Sequence, residues 1–213
     1  MTKRRAAGFT ILDFLVVVVA VVGLVAFGLP FFARAKAPGC SRMRCVSNQK
    51  QIALAFRMWA NDHAERLPME LHASEGGTRE SVLTGVPTAS FLIISNELNS
   101  PKILTCPKDF KRERTNQFEG LTFRNLSYFV GIDASEANPA AILLGDRNIS
   151  PSLRIRSGLI ESTASNQVHW TPHIHTNQGN IALADGSAQQ TTSLGLRKAL
   201  ADSGLVTNRF AIP

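Results

Sequence analysis

Five residues in the second half of the chain carry groups that could hold a metal ion or move a proton: Asp146, His169, His173, His175 and Asp185. Imidazole and carboxylate are the donor classes of zinc and calcium sites. His173 and His175, two residues apart, would share one face of a strand. No third ligand stands at a diagnostic spacing, so two readings compete. In the favoured one the residues are structural: Ile181 and Leu183 alternate towards Asp185-Gly186, a dipeptide suited to a tight two-residue hairpin turn because it tolerates positive φ. His175 then hydrogen-bonds within that hairpin or towards Asp185. In the other, Asp146, His173, His175 and Asp185 hold calcium or zinc. No cofactor is expected on the favoured reading.

Three cysteines, Cys40, Cys45 and Cys106, permit at most one intrachain disulfide. An oxidising compartment would allow a Cys45–Cys106 bridge and leave one thiol over. Enzyme signatures are missing: the chain contains no Gly-x-Ser-x-Gly elbow, phosphate loop or His-Glu-x-x-His. Asp109, Glu113 and Glu119 fall in a charged loop and read as solvated. A hydrolase built on Asp146, His175 and Asp185 would lack an activated nucleophile. The chain is therefore read as non-enzymatic.

The formal charge is +7, and a chain without Lys3, Arg4 and Arg5 would carry 20 basic against 16 acidic residues, or +4. That balance is too mild to imply nucleic acid. Basic residues cluster at Arg34, Lys36, Arg42 and Arg44 and at Lys108, Lys111, Arg112 and Arg114, with neither run interleaved with stacking aromatics. The first reads as a membrane-surface contact, the second as a solvated loop.

The elements that must position these groups begin with residues 14–32, FLVVVVAVVGLVAFGLPFF, nineteen residues without a charge. At about 1.5 Å per residue this stretch matches a hydrocarbon core of about 30 Å, and its length favours a helix over a strand despite Val16 to Val19. The basic MTKRRAAG ahead of it should stay in the cytoplasm. A cleaved secretory signal fits poorly, because the apolar core is too long and no small-x-small site follows it. After a break at Pro38-Gly39, residues Cys45 to His63 place Ile52, Ala55, Phe56 and Trp59 at helical spacing, a core stripe. Residues 68–86 read as a surface loop, Ser90 to Leu98 as a short helix or turn, and Pro101 to Pro107 as a strand or extended segment. Leu126 to Ile132 and Ala141 to Leu144 read as short strands of a small antiparallel sheet.

Gly8-Phe9-Thr10-Ile11-Leu12-Asp13 places a glycine between the basic and apolar parts and an acid five residues later. Here the chain resembles type IV prepilins and type II secretion pseudopilins. The resemblance implies that a prepilin peptidase cuts between Gly8 and Phe9 and that the new N-terminal Phe9 is methylated. It also implies that Asp13, where the family usually has Glu, pairs with a neighbouring subunit's N-terminal amine during assembly. His175 to Asp185-Gly186 matches the H-x9-DG pattern of prepilin-associated domains. Further matches are Cys45 with Asn48, Lys50 and Gln51; Cys106-Pro107 with Asp109; Ser127-Tyr128; and Gly145 to Asn148. Analogy with some pseudopilins makes calcium the better metal.

The resemblance implies an α+β, pilin-like chain: a leader (1–8), a long membrane-spanning helix for assembly (9–36) and an extracytoplasmic domain with an antiparallel sheet (37–213). The location expected is the bacterial inner membrane, single pass, with the C-terminal domain in the periplasm or at the cell surface. The function expected is a pseudopilin-like subunit of a type II secretion or type IV pilus-like system, with prepilin peptidase, other pilin-like subunits and the membrane as partners, and no nucleic acid. The alternative is a membrane-anchored binding domain, recognising a metal, glycan or protein, that does not assemble.

Overall fold

The chain is described from a computed structural model. It covers residues 11–33, 38–150, 153–156, 158–163 and 168–213, with backbone alone for 27–33, 38–41 and 153–156. Two units divide it, Met1–Cys40 and Ser41–Pro213.

In the first unit, helix α1 runs from Ile11 to Ala33 with Asp13 in its first turn, where a carboxylate complements the helix dipole. Its side chains are described through residue 26, and nearly all are exposed. The expected membrane-spanning helix is overturned, because among the described residues no helix is long and apolar enough to cross a membrane. The single-pass, inner-membrane assignment rested on that helix and is corrected with it. Gly8 and Phe9, the expected processing site, lie outside the described residues.

Helix α2 spans Pro38–Asn61 and belongs to the second unit from Ser41 onward. The break expected at Pro38-Gly39 is instead a helix start, since proline's fixed φ and missing N–H suit a first helical position. Cys45, Gln49, Ile52, Phe56 and Trp59 follow at three- and four-residue spacing, and all are buried. Removing each large apolar side chain of that stripe from water stabilises the fold by about 1.5–3 kcal/mol. Short helices α3 (Arg79–Leu83) and α4 (Thr88–Ile93) follow, with a 3-10 turn at Pro101–Leu104 where an extended segment was expected.

Among the described residues the body is an antiparallel sheet of seven strands, larger than the small sheet expected. They are β1 (Tyr128–Gly131), β2 (Ile142–Asp146), β4 (Leu153–Arg156), β5 (Leu159–Ser162), β7 (Gln178–Leu183), β8 (Ala188–Thr192) and β9 (Asn208–Ala211), in the order β4-β5-β9-β1-β2-β7-β8. A separate ribbon pairs β3 (Ile149–Ser150) with β6 (His169–Trp170). Alternation along the strands sends side chains to two cores. Tyr128, Val130, Leu159, Ala182 and Ala211 join the α2 side chains on one face. Phe129, Ile160, Ile181 and Phe210 join Trp170 and helix α5 (Ser193–Asp202) on the other. The sheet is thus covered on both faces, and polar groups at its centre are cut off from water.

Candidate functional site

Asp146 ends β2 in the middle of the sheet and is completely buried. A buried carboxylate must be hydrogen-bonded or neutral, and three N–H groups reach this one. Gln49 Nε2, from the inner stripe of α2, donates to Oδ1 at 2.9 Å. The backbone N–H of Asn180 and its Nδ2 donate to Oδ2 at 2.7 and 2.9 Å. Strand β7 lies beside β2, with Ile181 paired to Gly145, which is why Asn180 meets Asp146. His175 Nε2 stands 3.4 Å from the same Oδ2. The other neighbour of His175 Nε2 is Cys106 Sγ at 3.5 Å.

Cys106 is bonded to Cys45, with Cα atoms 5.4 Å apart and a sequence separation of 61. The disulfide ties α2 to the segment after the Pro101–Leu104 turn, directly beside the Asp146 network. It also indicates an oxidising environment. Arg42 borders the site, donating to Gln178 Oε1 and, at 3.4 Å, to Gly179 O. Gly179 admits no side chain there, since a Cβ would stand 2.5 Å from the Trp170 ring.

Burial dominates the electrostatics. It pushes the Asp146 carboxyl from 3.8 up to about 7, against the opposing effects of Asn180, Gln49 and the Arg42 charge. Burial, then the nearby charges of Arg42 and Lys108, lowers His175 from 6.5 to about 4, with Asp109 opposing. Between these values the pair holds one proton on the carboxyl and none on the imidazole. Tyr128 is pushed well above its ordinary range, by burial first and the Asp146 charge second.

The other sequence candidates lie apart from this centre. His173 is exposed in a turn over 172–175 and not on a strand, so it does not share a face with buried His175. Asp185 is exposed, its Oδ1 accepting from Ser187 N at 2.8 Å, while Arg57 Nη1 donates to its carbonyl at 2.7 Å. The hairpin it begins has a three-residue loop over 184–186 and not the two-residue turn expected: Leu183 and Ser187 close the loop at 2.9 Å, and Gly186 takes φ +85°. A type I turn followed by a left-handed glycine produces this geometry. Asp13 is exposed in α1. Metal-capable side chains gather, among the described residues, only at Cys45, Cys106 and His175, whose ligand atoms lie within 4.8 Å of one another. With the two sulfurs joined, that trio offers no thiolate.

Gln49 and Asn180 were missed in the sequence. Gln49 was legible as a polar residue four after Cys45 and three before Ile52, hence on the buried face of α2. Asn180 interrupts a strand of buried residues and carried no comparable signal.

The fold and site define a disulfide-tied α+β domain whose central carboxylate is sealed from solvent. Comparison with protein-family models, with curated proteins and with solved structures finds no match.

Proposed function

We propose that the chain is a non-enzymatic, pilin-like subunit that is trimmed by a prepilin peptidase between Gly8 and Phe9 and packs against like subunits through α1, in a type II secretion or type IV pilus-like system. The observation that carries this reading is the surface of α1. Phe14, Leu15, Val16, Val17, Val18 and Val19 are consecutive and 42–63 % exposed, and Ile11, Leu12 and Leu24 reach 73–84 %. Consecutive positions point about 100° apart, so the apolar surface runs right round the helix. A helix apolar all round belongs in the interior of something larger. Parallel copies of the same helix would cover every face, as a one-sided partner would not. The sealed Asp146–His175 pair supports a structural body, since a catalytic pair needs access to substrate.

The test expresses the full chain with and without a prepilin peptidase, with a photo-crosslinking residue at Val18, and reads the mature N-terminus by mass spectrometry. A methylated chain starting at Phe9, and crosslinks between copies that weaken in Asp13→Ala, are expected. An unprocessed start with no crosslink between copies would refute the reading.

A further inference from the structure

We propose that Cys45, Cys106, His175 and Asp146 form a zinc site when the Cys45–Cys106 bond is reduced, so that one buried position holds either a disulfide or a metal ion. Four separate elements bring these side chains together: α2, the segment after Pro101–Leu104, the turn over 172–175 and the end of β2. All four are buried, His175 being 8 % exposed and the others at most 1 %. Two sulfurs, an imidazole nitrogen and a carboxylate oxygen make a zinc donor set, and the sulfurs exclude a hard-cation reading such as calcium.

Distances fit that ion. Zinc bonds of about 2.3 Å to sulfur and about 2.0–2.1 Å to nitrogen or oxygen, at tetrahedral angles, set sulfur and nitrogen about 3.5 Å apart and nitrogen and oxygen about 3.3 Å apart. Cys106 Sγ lies 3.5 Å from His175 Nε2, and Asp146 Oδ2 lies 3.4 Å from the same nitrogen. Two of the tetrahedral edges are therefore present before any metal arrives. Thiolates on one zinc stand about 3.8 Å apart, a separation that side-chain rotation from Cα atoms 5.4 Å apart can supply. Gln49 and Asn180 already orient the carboxylate, as supporting groups do around metal ligands. Two thiolates and a carboxylate on Zn²⁺ sum to −1, and Arg42 lies close enough to act on the Asp146 charge.

The chemistry balances with a dithiol as reductant. It gives two electrons and two protons to the S–S bond, leaving two thiols here and a disulfide on the reductant. Zinc then displaces both thiol protons, and any proton on Asp146, to solvent and takes the neutral imidazole of His175. Exchange with an incoming disulfide runs the sequence backwards: the two thiolates give it two electrons, it leaves as two thiols with protons from solvent, the Cys45–Cys106 bond forms again and Zn²⁺ is released.

The test uses the full chain in a Cys40→Ser background, kept in mild detergent, reduced with a water-soluble phosphine and titrated with Co²⁺. One cobalt per chain, thiolate-to-cobalt charge transfer and intense tetrahedral bands are expected, all displaced by one equivalent of Zn²⁺ and absent from the oxidised chain. Cys45→Ser, Cys106→Ser, His175→Gln and Asp146→Asn should each weaken binding at least about tenfold, the scale seen for groups that only support ligands. Zinc should also raise the Tm of the reduced chain and leave that of the oxidised chain unchanged, a readout that holds even if reduction loosens the fold. Equal melting of the reduced chain with and without zinc would overturn the proposal. Cobalt binding unaltered by His175→Gln would do the same, since any unfolded dithiol binds cobalt.

Discussion

Asp146 and His175 should pull the stability of this protein in opposite directions as pH changes. Asp146 is raised from 3.8 to about 7 on folding, so the folded state binds its proton more tightly. Its contribution is full below pH 3.8 and is lost as pH rises through about 7; at about 1.4 kcal/mol per pH unit the loss is about 4 kcal/mol. His175 is lowered from 6.5 to about 4, so its contribution is full above pH 6.5 and is lost as pH falls through about 4, about 3 kcal/mol in all. The two nearly cancel in the wild type. Substitution separates them: relative to wild type, Asp146→Asn should gain stability by up to about 4 kcal/mol from pH 4 to 7. His175→Gln should lose up to about 3 kcal/mol from pH 4 to 6.5. The assay is urea unfolding of the oxidised full chain with chelator present, followed by tryptophan fluorescence, each variant compared with wild type at the same pH so that other titrating groups cancel. Difference curves of the same sign, or flat to within about 1 kcal/mol, would refute a neutral pair. An ion pair would leave both curves flat between pH 4 and 6.5, with Asp146→Asn departing from wild type only below pH 3.8 and His175→Gln only above pH 6.5.

Three other outcomes follow from the packing. Reducing the disulfide in the absence of metal frees a loop of 61 residues and should destabilise the fold by about 4 kcal/mol, read as a lower urea midpoint. Gly186→Ala places a Cβ at φ +85° and should cost about 1–2 kcal/mol, while Gly195→Ala, in α5 with nothing nearer than 3.5 Å, should be neutral or stabilising by thermal melting. Arg147 donates to both oxygens of Asp109 at 2.6 and 2.7 Å, and Asp109 is buried. Arg147→Met should therefore cost about 3–5 kcal/mol by leaving a buried carboxylate unpaired. The Arg147→Met/Asp109→Asn double variant should recover part of that loss in a double-mutant cycle.

Periodicity and composition determined the local features. Three-and-four spacing identified the inner stripe of α2 through Ile52, Ala55, Phe56 and Trp59, and the length of the apolar run identified α1 as a helix, although the membrane span read into it is overturned. Asp185-Gly186 signalled a turn, because the left-handed backbone is a local property of glycine, although the loop length depended on strand register. What the sequence left open was which distant groups meet. Spacing along the chain suggested His173 beside His175 and Asp185 beside both, yet the turn over 172–175 points one histidine to solvent and buries the other, and the hairpin leaves Asp185 at the surface. The pairing of β2 with β7 brings Asn180 to Asp146, and the packing of α2 on the sheet brings Gln49 and the Cys45–Cys106 bond to the same place. Those contacts join residues 34 to 97 positions apart. Burial of that meeting point sets the protonation of Asp146 and His175, because desolvation is a property of the whole fold and not of the residues that flank them.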